Sequence, residues 1–160
     1  MKNNLVKRLL SFILSFAIVF GMMPSTAFTA FASGGDTVYI SVSYDGVYTN
    51  GTDGKPISYV PVKISELKQI DLDEYGLGSY KYDADSDGSY ETTVLHLYVY
   101  THTTLCGKDW SEVSVSGDPG SIFFASGIFG FSDCNLNYYV NGEYPLQSEG
   151  WGATADICVL

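Results

Sequence analysis

A chain of 160 residues with a formal net charge of −10 has room for one domain and an appendage. Its hydrophobic content of 46% and aromatic content of 15% exclude an acidic disordered tail. The excess of carboxylates disfavours nucleic acid and anionic lipid as partners, because both are polyanions, and leaves cations, sugars and small ligands.

The N-terminus has the layout of a secretory signal peptide. Three basic residues stand among the first eight, Leu9–Met23 is an uncharged apolar run, and Ala30 and Ala32 are small residues just before Ser33. The run is shorter than the about 20 residues that span a membrane. We therefore expect residues 1–32 to be removed, which makes the membrane a partner only before cleavage. The mature chain is then secreted, extracellular or associated with the cell surface; an uncleaved anchor is the alternative.

The first part of the mature chain, residues 33–86, predicts a β-rich segment. Val38–Tyr44 alternates apolar and polar side chains, as a half-buried strand does, and Ile57–Ile64 is a second strand. Asn50–Gly54 consists of residues that favour turns, so the two strands are predicted to pair as a hairpin. Pro61 removes one backbone donor and places its strand at a sheet edge or at a bulge.

The pattern of Thr92–Leu105 fits a helix and a strand equally well. Its apolar residues form a helical stripe behind a threonine cap, but β-branched and aromatic residues favour a strand. Further strands are predicted toward the C-terminus, and Asn141–Gly142 is a strong hairpin turn because both positions accept a positive φ. These strands are Glu112–Ser116, Ile122–Phe124 and Leu136–Val140.

The three cysteines do not form a metal motif. Cys106, Cys134 and Cys158 are too widely spaced for the paired ligands of a zinc site. The sequence leaves two interpretations open: small buried residues, or one disulfide and one free thiol.

Four segments resemble one family of secreted proteins. Leu136–Pro145 resembles the Tyr-x-Val-Asn-Gly hairpin of the β-grasp family related to the C-terminal domain of transcobalamin. Thr93–Leu97 is similar to the start of that family's helix, Gly127–Phe131 to its Gly-flanked strand, and Gly152–Asp156 to the segment after the hairpin. In Gram-positive bacteria this family is largely a surface-protein domain of unknown function.

The resemblance implies an α+β fold. We expect a β-grasp-like mixed sheet with one main helix, an N-terminal β-hairpin before it, and the signal peptide as a helix outside the fold. The β-grasp domain would comprise residues 87–160, and it would be truncated because the family's closing strand would follow Leu160.

An acidic loop has the opening spacing of a calcium site. Asp83, Asp85 and Asp87 alternate, a glycine follows at the sixth position, and Glu91 occupies the ninth, where a ligand is often water-mediated. The twelfth position holds a valine instead of the bidentate glutamate. The loop is predicted to bind structural calcium, and a solvated turn is the alternative.

Thirteen tyrosines and two tryptophans remain to be explained. Most are expected in the core of a Gly-rich β domain. An exposed subset would stack on sugars or, as the resemblance implies, on a flat ligand such as a corrinoid. The predicted ligand contacts lie on the hairpin and just after it: Tyr138, Tyr139, Asn141, Tyr144 and Trp151. The alternative is that these residues stabilise the hairpin and bind no ligand.

These observations favour a secreted, non-catalytic module that binds a small ligand, a glycan or a surface protein. No nucleophile motif is present, and His96 and His102 are expected to be packing residues. Two other functions stay open: a structural or adhesive spacer of a surface protein, and a small extracellular hydrolase that uses two carboxylates.

Overall fold

The structure is a computed structural model that describes residues 26–32, 35–120, 124–132, 138–140 and 154–160. It has a mixed α+β architecture with one main helix, which confirms the predicted fold class at this level. The predicted hairpin around Asn141 and its neighbours Tyr144 and Trp151 lie outside the described residues.

The main sheet has five strands. They are β1 (Thr26–Ala32), β2 (Thr37–Tyr44), β3 (Val47–Tyr48), β4 (Ile57–Lys63) and β7 (Tyr138–Val140). β2 pairs antiparallel with β1 on one side and with both β3 and β4 on the other, while β7 runs parallel to β1. β1 therefore lies inside the sheet, although the sequence places its residues in the signal peptide.

Alternation in β2 separates a buried face from an outer face. Val38, Ile40 and Val42 are at most 2% exposed, while the opposite side carries half-buried Tyr39 and Ser43 and, between them, Ser41, which is itself only 2% exposed. The predicted alternation is therefore confirmed in this strand.

A β-bulge interrupts the pairing of β2 with β4. Ser58 and Tyr59 together stand opposite Ser41, and Tyr59 has a φ of 52°. The Ser41 hydroxyl accepts the Tyr59 N–H at 2.9 Å, which replaces the ladder bond that the bulge removes. Pro61 lies two residues further on, and in the described sheet β4 pairs with β2 alone, so both expectations for this proline are met.

The turn between β3 and β4 is organised by one buried side chain. Asn50 is 5% exposed, and its Oδ1 accepts the N–H groups of Thr52 and Asp53 at 2.9 Å each. Its Nδ2 donates to an Asp53 carboxylate oxygen at 3.0 Å and to the Lys55 carbonyl at 3.2 Å. The turn is thus held by a fully bonded asparagine.

Within the ambiguous segment Thr92–Leu105, residues 94–105 are helical. The α-helix Val94–Tyr100 continues as a π-helix over Thr101–Leu105. At its start the Thr93 N–H donates to His96 Nδ1 at 3.1 Å, so the imidazole takes the role that Glu or Gln has in a capping box. We name these elements α2 and its π-helical extension; the short helix α1 is Ile64–Leu67.

The C-terminal residues complete the start of α2. The N–H groups of Val94 and Leu95 donate to the carbonyls of Cys158 and Ala155 at 2.9 and 2.8 Å. These donors have no partner within the helix, so the C-terminal segment satisfies them.

The remaining elements are short. β5 (Ser114–Ser116) and β6 (Phe124–Ser126) form a separate antiparallel pair. The strand expected at Gly127–Phe131 is wrong, because Ile128–Gly130 is a 3₁₀ turn: Phe129 and Gly130 within it, and Gly127 just before it, have positive φ. Further 3₁₀ turns occur at Leu72–Tyr75, Gly78–Tyr80 and Trp110–Glu112.

One hydrophobic core joins the two predicted segments of the mature chain. It contains residues from β2, such as Ile40, together with Leu97 of α2, Phe129 of the 3₁₀ turn and Ala155 near the C-terminus. None of the helices in the described part of the chain has the length and hydropathy of a membrane-spanning segment.

Candidate functional site

The predicted calcium loop brings three carboxylates together. One oxygen from each of Asp83, Asp85 and Asp87 lies within 4.8 Å of the others. The Asp83 carboxylate accepts the N–H groups of Asp87 and Gly88 at 3.2 and 2.9 Å, and Asp87 accepts the Ser89 N–H at 2.7 Å. These bonds curl the loop, and they would also form in a turn without an ion.

The fourth predicted ligand, Glu91, lies outside this cluster. It is half-buried, and its N–H donates to the Tyr82 carbonyl at 2.7 Å, which closes the base of the loop. Backbone pairing therefore explains the position of Glu91, while the three aspartates are half-buried or exposed.

Lys81, two residues before Asp83, forms ion pairs at the start of the 3₁₀ turn Leu72–Tyr75. Its ammonium group is 2.9 Å from Asp71 and 2.6 Å from Asp73, and it lies 5.6 Å from the centre of the Tyr90 ring. Hydrogen bonds to Asp73 and Asp71 raise the pKa of Lys81 above its usual value. Lys81 is therefore paired with Asp71 and Asp73, and among the described ion pairs none involves the candidate ligands Asp83, Asp85 and Asp87.

The predicted ligand contacts on β7 divide between the two faces of the sheet. Tyr138 is 7% exposed, and its ring packs edge-on against Tyr98 of α2 at 6.1 Å, as a core residue does. Tyr139 is next in the strand, so it lies on the opposite side, and it is half-buried. Of the predicted ligand set, Tyr139 is the described residue on the outer face.

The outer face of the sheet carries more tyrosines than the sequence interpretation assigned to it. Tyr48 stands opposite Ser43 in register and is 47% exposed, and Tyr59 at the bulge is 58% exposed. Tyr39 lies on the same side of β2. We call Tyr39, Tyr48, Tyr59 and Tyr139 the tyrosine face. Alternation in β2 could have placed Tyr39 there, but nothing in the sequence locates the bulge that turns Tyr59 outward.

His102 is a buried connector. It is fully buried, its Nδ1 accepts the Phe129 N–H at 2.9 Å, and its Nε2 lies 3.0 Å from the Asp109 carbonyl. A carbonyl can only accept, so the neutral ring carries its proton on Nε2. Burial lowers the pKa of His102, and the bond to Asp109 opposes part of that effect. Both ring nitrogens are occupied, which fits a structural role.

The described cysteines are poor nucleophiles. Cys106 and Cys158 are free thiols, and burial raises the pKa of Cys106 to about 11 and that of Cys158 above its usual value. Both stay protonated at neutral pH, and a thiol must ionise to attack or to bind a metal. Cys134 lies outside the described residues.

Among the described residues, the three clustered aspartates lie in a surface loop, and His96 and His102 bond to backbone groups. Compared with known proteins, the chain matches no protein-family model, no curated protein and no solved structure.

Proposed function

We propose that the chain is a secreted, non-catalytic binding module that acts outside the cell or at its surface. The tyrosine face carries this proposal. A surface that carries several partly exposed aromatic rings offers stacking, which suits sugar rings, other small ligands and partner proteins. The basic and apolar N-terminal segment supports export.

A glycan is the ligand that this surface fits best. In the described strands, the outer side of β2, β3 and β4 has hydroxyl and aromatic side chains together with Pro61, and its charged residue is Lys63 at one end. A neutral sugar can stack on a tyrosine ring without the desolvation of a charge. The acidic mature chain disfavours polyanionic ligands in addition.

We expect Tyr59→Ala and Tyr48→Ala each to weaken glycan binding. The loss of one stacked ring should reduce affinity by about 0.5–1.5 kcal/mol beyond area effects, or roughly two- to twelvefold. Retardation in gels that contain soluble neutral polysaccharides measures this. Tyr90→Ala is the matched control, because Tyr90 is 63% exposed but lies outside the sheet. Equal retardation of all three variants and the wild type would argue against the tyrosine face.

The adhesive-spacer alternative depends on a free sheet edge. In the described sheet, β4 is an outer strand, but Pro61 and the bulge at Tyr59 interrupt its donors and its flatness. Both features discourage the pairing of sheets edge to edge. The edge of β4 therefore favours the binding module over an adhesive spacer.

We also propose that the fold is of the β-grasp type, related to the transcobalamin C-terminal family. Support comes from the main helix, which starts at Val94 directly after Thr93 and packs on β7 through Tyr98 and Tyr138. The 3₁₀ turn at Ile128–Gly130 departs from the family's strand. A corrinoid is the ligand that this relationship would imply, and a cobalamin titration followed by absorbance tests it.

We propose that Asp83, Asp85 and Asp87 hold a structural calcium ion. Three carboxylates this close repel one another unless a cation or water separates them, and calcium prefers such oxygen ligands. The ion would fix the loop between the Lys81 anchor and the start of α2. It would have no catalytic role.

We expect millimolar calcium to raise the melting midpoint by about ten degrees over the value in EDTA. Saturation a hundredfold above Kd adds about 2.7 kcal/mol to the free energy of unfolding. The double variant Asp85→Asn/Asp87→Asn should lose this calcium-dependent difference, and Glu74→Gln, which removes an exposed carboxylate elsewhere, should keep it. If the wild type melts at the same temperature in both buffers, the loop is only a turn.

A further inference from the structure

The residues of β1 belong both to the predicted signal peptide and to the main sheet, and cleavage of the signal peptide would remove them from the sheet. Thr26–Ala32 is the last part of the predicted signal peptide, and it is also the strand that lies between β2 and β7. If cleavage follows Ala32, export removes a strand from inside the sheet.

Removal of β1 would leave a gap one strand wide. β1 pairs with β2 over seven residue pairs, from Thr26 opposite Tyr44 to Ala32 opposite Val38, and with β7 over three. The backbone groups of β2 that face β1 would lose their partners, and buried backbone groups need a replacement. In the described sheet, β7 is joined to the other strands through β1.

The gap also lies over the core. β2 presents Val38, Ile40 and Val42 to the interior, and all three are almost completely buried. Tyr138 of β7 is buried on the same side of the sheet. An empty gap would therefore expose apolar side chains on both of its borders, which favours refilling by another strand.

We propose that the mature chain accepts a strand from another polypeptide in this gap. This inference rests on the proposed secretion and deepens the proposed binding function, because it names a peptide-binding site and the class of its partner. The partner segment is extended, about seven residues long, antiparallel to β2 and parallel to β7. Backbone hydrogen bonds would provide most of its affinity.

The chemistry of the partner segment follows from what the gap holds in this structure. β1 has the sequence Thr-Ala-Phe-Thr-Ala-Phe-Ala, which has no charge, and Phe28, Ala30 and Ala32 stand in register with the buried residues of β2. An apolar or small residue is therefore required at alternate positions. Without residues 1–32 the chain has five basic and eighteen acidic residues, a formal −13, so an acidic segment would be repelled.

The full chain, expressed in a secreting bacterial host, provides the test. The secreted protein is purified from the medium and its intact mass is measured, which shows whether it begins at Ser33. A fluorescent peptide of residues 26–32 with two added C-terminal lysines is then titrated and followed by anisotropy. The control peptide carries Ala30→Lys, because Ala30 is in register with fully buried Ile40.

We expect a secreted form that begins at Ser33 and binds the peptide, with affinity for the control weaker by about tenfold or more because a lysine would be buried without a partner. Bound peptide should also slow hydrogen exchange at those amides of β2 (Thr37–Tyr44) that face the gap, since the other β2 amides face β3 and β4. That readout separates insertion beside β2 from adsorption elsewhere, and it reports folding if the secreted chain orders only when the peptide binds.

Three results would overturn the proposal. A secreted protein that retains residues 26–32 means that β1 belongs to the mature fold, while secretion itself stands. A protein that begins at Ser33 but ignores the peptide, or is a dimer that the peptide does not dissociate, means that the gap is closed in another way. A chain that stays unprocessed inside the cell contradicts the proposed secretion as well.

Discussion

Replacement of His102 by alanine is expected to lower the free energy of unfolding by about 3–5 kcal/mol. The change leaves the Phe129 N–H and the Asp109 carbonyl without their partner, and each unsatisfied buried group costs about 1–3 kcal/mol. It also opens a cavity beside Trp110, whose ring meets the imidazole edge-on at 5.6 Å. Urea denaturation followed by tryptophan fluorescence measures the loss.

His102→Gln separates the hydrogen bonds from the cavity. Its amide nitrogen can donate to the Asp109 carbonyl and its oxygen can accept the Phe129 N–H, so we expect it to recover part of the loss. His96→Ala is the comparison within the same helix, since His96 is 8% exposed and its Nδ1 accepts the Thr93 N–H. A His102→Ala variant as stable as the wild type would show that the hydrogen bonds of His102 do not stabilise the fold.

The same residue should make stability depend on pH. Burial lowers the pKa of both His102 and His96 below the ordinary 6.5, so the folded chain binds fewer protons than the unfolded chain in this range. The contribution to stability is complete above pH 6.5 and is lost as the pH falls below it toward the folded-state pKa. The neighbouring charges act on the pKa of His102 in opposite directions: Glu112 raises this pKa and Lys108 lowers it, and each effect is smaller than that of burial.

Denaturation midpoints measured between about pH 7.5 and 5 should therefore decrease in the wild type, and the decrease should be smaller in His102→Gln. This window lies above the usual range of carboxylates, so the histidines dominate it. Equal slopes in the wild type and the variant would contradict the assignment to His102.

The helix that carries His102 shows why the sequence could not decide between helix and strand. All six residues from Val94 to Val99 are buried, so no solvent-facing stripe marks a period of 3.6. Periodicity reports a difference between two faces, and a segment covered on every side has none. In β2, by contrast, one face is covered and the other carries Tyr39 and Ser43, and there the alternation predicted both the strand and its orientation.

The connections were harder to predict than the strands. Asn50–Gly54 and Gly127–Phe131 are both rich in glycine, but the first is a turn as expected and the second is a turn where a strand was expected. The decisive feature is the positive φ of Phe129, 55°, which a non-glycine residue adopts when its surroundings hold it. Those surroundings are distant in sequence: His102 accepts its N–H, and Gly51 donates to its carbonyl at 2.9 Å.

The candidate site divides in the same way. The spacing of Asp83, Asp85 and Asp87 was sufficient to bring their carboxylates together, because loop ligands at alternate positions are a local feature. The tyrosine face depends on strand register and on the bulge at Tyr59, which are set by pairing between β2 and β4. Its members therefore could not be collected from the sequence alone.

Gly130→Ala is expected to lower the free energy of unfolding by about 2–5 kcal/mol. Gly130 has a φ of 86°, where a side chain is strained by about 1–2 kcal/mol. An added Cβ would also lie 2.7 Å from the carbonyl carbon of Gly51 and 2.8 Å from the Thr52 nitrogen, and such overpacking costs about 1–3 kcal/mol. The change would push the Ile128–Gly130 turn away from the Asn50–Gly54 turn.

Two further glycines separate these contributions. Gly54 has a φ of 72° and open space around its Cβ position, so Gly54→Ala tests the strain alone, at about 1–2 kcal/mol. Gly51 does not have a left-handed φ, but a Cβ added there would lie 2.5 Å from the Gly130 carbonyl carbon. Gly51→Ala therefore tests the steric contact alone. Urea denaturation of the three variants should rank Gly130→Ala as the least stable.

Because Gly51 and Phe129 share a hydrogen bond, the double variant Gly51→Ala/His102→Ala should lose less free energy of unfolding than the sum of the losses of the two single variants. Additive losses would mean that the two turns are held independently of His102.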